Sequence, residues 1–107
     1  MDILSKHQEI NELLSLYKSL LTDKQQLMLG YYYEDDYSLS EIAAILNVSR
    51  NAIYDQLNKA VEKMMQFEQH LQLRTQRHHR DTVLEKLQGT KLTSEQVQLI
   101  EDLKKVI

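Results

Sequence analysis

Five residues at helical spacing carry the clearest chemistry in this chain: Arg50, Asn51, Tyr54, Asn58 and Lys59. Arg50, Tyr54 and Asn58 recur every four residues, so on a helix they share one face, with Asn51 beside it and Lys59 behind. Arginine offers a planar fork that matches the two acceptors of guanine, asparagine can bond adenine, and lysine neutralises phosphate. Such a face at the start of a helix can read duplex DNA in the major groove. Asp55 stands on the same helix, however, and Arg50 and Lys59 are the only cations among residues 50–59. The weak positive charge leaves a second use equally open, in which the helix serves as a protein-binding or structural scaffold.

A second group is Arg74, Arg77 and Arg80, spaced by three. One turn apart on a helix, they could meet phosphates, including those of a structured RNA, or the acidic residues of a partner protein. The plainer alternative is a solvated helix end with an Arg77–Asp81 pair. Tyr31, Tyr32 and Tyr33 could stack on unpaired bases, but Glu34, Asp35 and Asp36 follow them and give the wrong field for phosphate. One or two of these tyrosines are expected in the core. His78 and His79 are adjacent, so they point about 100° apart and cannot easily share an ion, and His70 is two turns away. The chain has no cysteine, which excludes disulfides, thiolate metal sites and cysteine nucleophiles. There is no glycine-rich phosphate loop, nucleophile elbow or paired-carboxylate setting either. Neither an enzyme nor a bound cofactor or metal is expected.

The elements that would hold these residues are all helical. The chain has no proline and only two glycines, Gly30 and Gly89, and it is rich in Leu, Gln, Glu and Lys. Ile3, Ile10, Leu14, Tyr17 and Leu21 trace one apolar face of a first helix from about Ile3 to Leu20. Thr22 with Gln25 forms a capping box for a second helix, in which Leu27, Met28 and Tyr31 face inward and which ends near Tyr33. Ser38 with Glu41 opens a short third helix, whose apolar side is Leu39, Ile42, Ala43, Ile45 and Leu46, and Asn47 stops it. Ser49 caps a fourth helix that no breaker interrupts, predicted over residues 50–79. Val83, Leu84 and Leu87 suggest a short fifth helix closed by Gly89. Thr93 with Gln96 opens a last one, with Val97, Ile100, Leu103 and Ile107 on one side.

The run from Ser38 to Ala60 is a helix-turn-helix. Ala43 is small where two helices cross, Asn47 makes the turn, and Val48 plugs the gap. Ser49 caps the second helix, which Ile53 and Leu57 bury against the first. The segment from Leu21 to Ala60 resembles the promoter-reading C-terminal domain of bacterial sigma factors. The likeness rests on Leu21-Thr22-Asp23-Lys24-Gln25-Gln26, Tyr31-Tyr32, the acidic stretch before Ser38, Ser38-Leu39-Ser40-Glu41-Ile42-Ala43, Val48-Ser49-Arg50 and Ile53. Sigma factors carry several basic residues on the reading surface, and this chain lacks most of them. The whole chain more closely resembles the YlxM family of small bacterial helix-turn-helix proteins, through LLTDKQQLMLGYYYEDDYSLSEIA followed by VSRNAIYD. That resemblance implies a regulatory part in the signal recognition particle pathway.

The expected architecture is therefore an all-α helix-turn-helix bundle resembling the sigma-factor C-terminal domain, with a long fourth helix and short C-terminal helices. One domain of 107 residues is expected, with the bundle in 1–70, the motif at 38–60 and a helical extension in 71–107. The net charge is −3 and unevenly placed: residues 1–70 hold 6 Lys+Arg against 11 Asp+Glu, and residues 71–107 hold 7 against 5. The half with the motif is the acidic one, which favours a basic protein partner over DNA. Ile53, Leu57, Ala60, Met64, Phe67 and Leu71 form a heptad-like seam. The last helices could cover it, or a second copy could, and the tail is barely long enough for the first, which favours a homodimer through Ile53–Leu71. No apolar run is long enough to cross a membrane and the N-terminus has no signal-peptide pattern, so a cytoplasmic protein is expected. Two partner readings stay open: the signal recognition particle protein or its RNA, met by the acidic half and by Arg74, Arg77 and Arg80, and DNA, read by the helix at 50–60.

Overall fold

A computed structural model describes residues 7–107, and among them it contains six α-helices and no strand. The helices are α1 (His7–Tyr17), α2 (Asp23–Leu29), α3 (Leu39–Leu46), α4 (Arg50–Leu71), α5 (Leu73–Gln88) and α6 (Ser94–Val106). The expected start of the first helix at Ile3 lies outside the described residues. A short 3-10 turn, Lys18–Leu20, finishes α1, and a π turn, Gly30–Glu34, finishes α2. The helix starts follow the hydroxyl caps. Thr22, Ser38 and Thr93 each accept from the amide three residues on, and Gln25, Glu41 and Gln96 return the bond to the cap amide. Ser49 Oγ accepts from the Ala52 amide at 3.1 Å.

Residues up to Arg74 form one compact unit and Thr75–Ile107 a second. In the first unit α4 packs against α1, α2 and α3. Ile53, Leu57, Ala60, Val61 and Met64 are wholly buried there with Ile10, Tyr17, Leu29 and Ile42. Each large side chain so buried contributes about 1.5–3 kcal/mol of hydrophobic stabilisation. This corrects the expectation about the seam. Its residues from Ile53 to Met64 are covered by helices of the same unit, so they present no open face to a second copy. The sequence pattern marked the buried stripe but credited the cover to the wrong elements, because α1 and α2 precede it in the chain.

The fourth helix is the main correction. It stops at Leu71 rather than near residue 79, because Gln72 takes a left-handed conformation, φ 56° and ψ 32°. A new helix, α5, begins at Leu73. No glycine or proline marks the break; its cause is a set of distant polar contacts described below. Smaller corrections concern exposure. Leu27, Ile45 and Val48 are exposed rather than inward. Ala43, Ile42 and Ile53 fill the crossing of α3 and α4, and Val48 does not plug it. Of the apolar residues expected to face inward after residue 80, only Leu84 and Ile100 are buried. Gly89 follows the end of α5 without a positive φ.

Candidate nucleic-acid and protein interfaces

The helix-turn-helix is built by backbone chemistry at its turn. Asn47 ends α3 in the left-handed region, φ 56° and ψ 48°, which asparagine tolerates better than most residues. The Val48 amide reaches back to the Ala43 carbonyl at 3.0 Å, an oxygen that the Asn47 amide also meets. Ser49 then caps α4, so Arg50 and Asn51 stand in its first turn and both are exposed. Asp55 and Lys59 are also exposed. Tyr54 is half-buried against the core, and Asn58 is half-buried. The structure thus brings Arg50, Asn51, Tyr54, Asn58 and Lys59 onto one helix, with Asp55 among them. That surface offers two cations and one anion, little charge for a phosphate backbone.

The arginines of the second group meet different surroundings. Arg74 Nε pairs with Glu12 Oε2 at 3.2 Å, and both side chains are less than one third exposed. The Arg74 amide donates to Glu68 Oε1 at 2.8 Å. The same carboxylate oxygen accepts the Tyr17 hydroxyl at 2.7 Å, and the tyrosine oxygen accepts the Leu73 amide at 3.1 Å. The first two free amides of α5 are therefore capped by side chains from α1 and α4. Burial raises the Tyr17 hydroxyl above its ordinary value of 10.0, and the bond to Glu68 adds to the rise. Sequence reasoning missed Tyr17, Glu68 and Glu12 as a group. Their contacts span more than fifty residues, and no local pattern announces them.

Arg77 and Arg80 line a cleft of about 480 Å³ with Asp81, Leu84, Glu85 and Gln88 of α5 and Lys104 and Ile107 of α6. The Arg80 Nε is buried and makes no hydrogen bond. A buried guanidinium nitrogen without an acceptor is costly, and an anionic oxygen entering the cleft would satisfy it. Three cations face two carboxylates there, so the balance favours an anion.

The tyrosines are engaged with one another. Tyr31 stacks on Tyr37 with ring centres 5.2 Å apart, Tyr32 meets Tyr33 edge-on at 4.9 Å, and Tyr33 is buried. That occupation leaves little ring surface for a base. Lys18 Nζ pairs with Glu34 at 2.7 Å beside the acidic turn. His70 Nδ1 lies 2.9 Å from the Gln66 carbonyl of its own helix. Among the described residues, no three His, Cys, Asp or Glu side chains are grouped to hold a metal ion, and no helix is long and apolar enough to cross a membrane.

Residues 4–106 match the model of a family described as helix-turn-helix proteins, YlxM / p13 like. A relative from Mycoplasma capricolum is 35% identical over 106 residues, covering 99% of this chain and 92% of its own. One from Bacillus cereus is 36% identical over 105 residues, covering 98% and 94%. A relative from Lacticaseibacillus casei is 44% identical over 70 residues, covering 65% and 62%.

Proposed function

This chain belongs to the UPF0122 family of helix-turn-helix proteins, YlxM / p13 like, and from that premise we propose that it regulates the signal recognition particle pathway in the cytoplasm. Its family is one of helix-turn-helix proteins, and among the described residues no three His, Cys, Asp or Glu side chains are grouped to hold a metal ion. In this reading the acidic first unit meets a basic surface of the particle's protein, and Arg77 and Arg80 meet phosphates of its RNA. The observation that carries the reading is the charge on α4. Its exposed face sets Asp55 among Arg50 and Lys59, in a half of the chain with 6 Lys+Arg against 11 Asp+Glu. A unit with that net charge attracts a basic protein, and two cations beside one anion on α4 give a nucleic-acid backbone little to hold. The unsatisfied Arg80 Nε supports the RNA contact in the second unit.

The test is titration of the chain against the purified particle protein and, separately, its RNA. Arg77→Ala with Arg80→Ala should weaken RNA binding and leave protein binding in place. Absence of binding to either component would overturn the proposal. DNA reading by Arg50, Asn51, Tyr54, Asn58 and Lys59 is the second reading, favoured by the exposure of Arg50 and Asn51 in a capped first turn. Arg50→Ala should then lower binding to a selected duplex, and an unchanged affinity removes that reading.

A further inference from the structure

The second compact unit, Thr75–Ile107, has 33 residues, and its only buried apolar side chains are Leu84 and Ile100. Units below about 40 residues rarely hold together without a metal, disulfides or association. This unit has no cysteine and no grouped metal ligands. It does carry two uncovered apolar stripes. On α5, Val83 and Leu87 lie one turn apart and are 49% and 40% exposed. On α6, Leu99, Leu103 and Val106 follow at four and three residues and are 60%, 46% and 79% exposed. That spacing is the seam of a helix that expects another helix against it.

The edges of the stripes differ in sign. Lys86 stands one turn after Val83 on α5. Glu95 and Asp102 stand in the same row as Leu99 and Val106 on α6. Gln98 Nε2 donates to Asp102 Oδ1 at 2.9 Å and holds that carboxylate on the surface. A basic-edged stripe and an acidic-edged stripe on one hairpin complement each other. They meet twice when a two-fold axis sets α5 of one copy on α6 of another. The cover is needed wherever the chain is folded, so it must be supplied in the same amount as the chain itself. We infer that residues 75–107 pair with the same residues of a second copy, closing a four-helix bundle in which α5 packs on the partner's α6.

Sedimentation equilibrium of the full chain at micromolar concentration tests this. The expected result is twice the 12.7 kDa chain mass. Leu103→Gln should give monomers, and Leu20→Glu, an exposed leucine outside the stripes, should leave the dimer intact. Lys86→Asp should weaken association by about tenfold, and adding Asp102→Lys to it should restore the affinity. The charge exchange alters only exposed side chains, so it reads the interface even where Leu103→Gln disturbs α6. Monomers throughout the concentration range would overturn the inference. So would a dimer indifferent to the charge exchange and to Leu103→Gln, because its interface would lie elsewhere.

Discussion

Tyr17 does three things at once. Its ring is buried beside Phe67, with centres 5.9 Å apart, its hydroxyl holds Glu68, and its oxygen receives the Leu73 amide. Tyr17→Phe keeps the ring and strands both partners. Thermal or urea unfolding should show a loss of about 1–2 kcal/mol. The hydroxyl also gives a pH dependence with a definite sign. Its folded value is raised above the ordinary 10.0 by burial and by Glu68. The protonated form is therefore the one the fold favours. The stability it contributes is complete below pH 10 and is lost as pH rises through the higher folded value. An alkaline unfolding transition should be present in the wild type and weaker in Tyr17→Phe. The arginines divide at the same scale. Arg74→Ala breaks the pair with Glu12 and should lower stability by roughly 0.5–1 kcal/mol while leaving RNA affinity unchanged. Arg77→Ala and Arg80→Ala should do the reverse, and an equal loss of affinity from all three would contradict the division drawn here.

At the scale of elements, the sequence made helix starts legible and one helix end illegible. Thr22, Ser38, Ser49 and Thr93 are local signals, because a hydroxyl caps an amide three residues away and needs nothing else. Asn47 was legible for the same reason. Gln72 was not. It has φ 56° although glutamine has no preference for that region, and the contacts that hold it come from Glu12, Tyr17 and Glu68. Gln72→Gly gives a test in which the sign decides. Glycine removes the left-handed penalty, so stability should rise by about 0.5–1 kcal/mol. Had α4 and α5 been one unbroken helix, the same change would cost about 1 kcal/mol. Period alone places Arg50, Tyr54 and Asn58 on one stripe of α4, but it does not report that Tyr54 and Asn58 are half-buried. The arginine group was read correctly in spacing and incompletely in environment. Its surroundings are set by α1 and α6, which periodicity on one helix does not report.

For the whole molecule, charge separates the two ends of the chain and limits what each can bind. A duplex lying on α4 could be met by Arg50 and Lys59, with Lys24 of α2 lining a cleft beside Lys59, so the logarithmic salt dependence of any DNA binding should be no steeper than about −3. A much steeper slope would show that other cations take part. Protein binding by the acidic unit should also weaken with salt, mainly through a slower association rate. The two apolar stripes of α5 and α6 belong to this scale too, since nothing within their own unit covers them.

The break at Gln72 has a consequence for how the chain can vary in length. The amides of Leu73 and Arg74 meet Tyr17 and Glu68 because three residues separate Glu68 from Gln72 and the next two amides follow at once. Deleting or inserting one residue between 68 and 72 would rotate those amides by about 100° around the helix and carry them out of reach. Replacing residues 69–71 with other helix formers would leave them in place. Spacing is therefore fixed here where composition is free, and single-residue insertions should be far more damaging than triple substitutions over the same three positions.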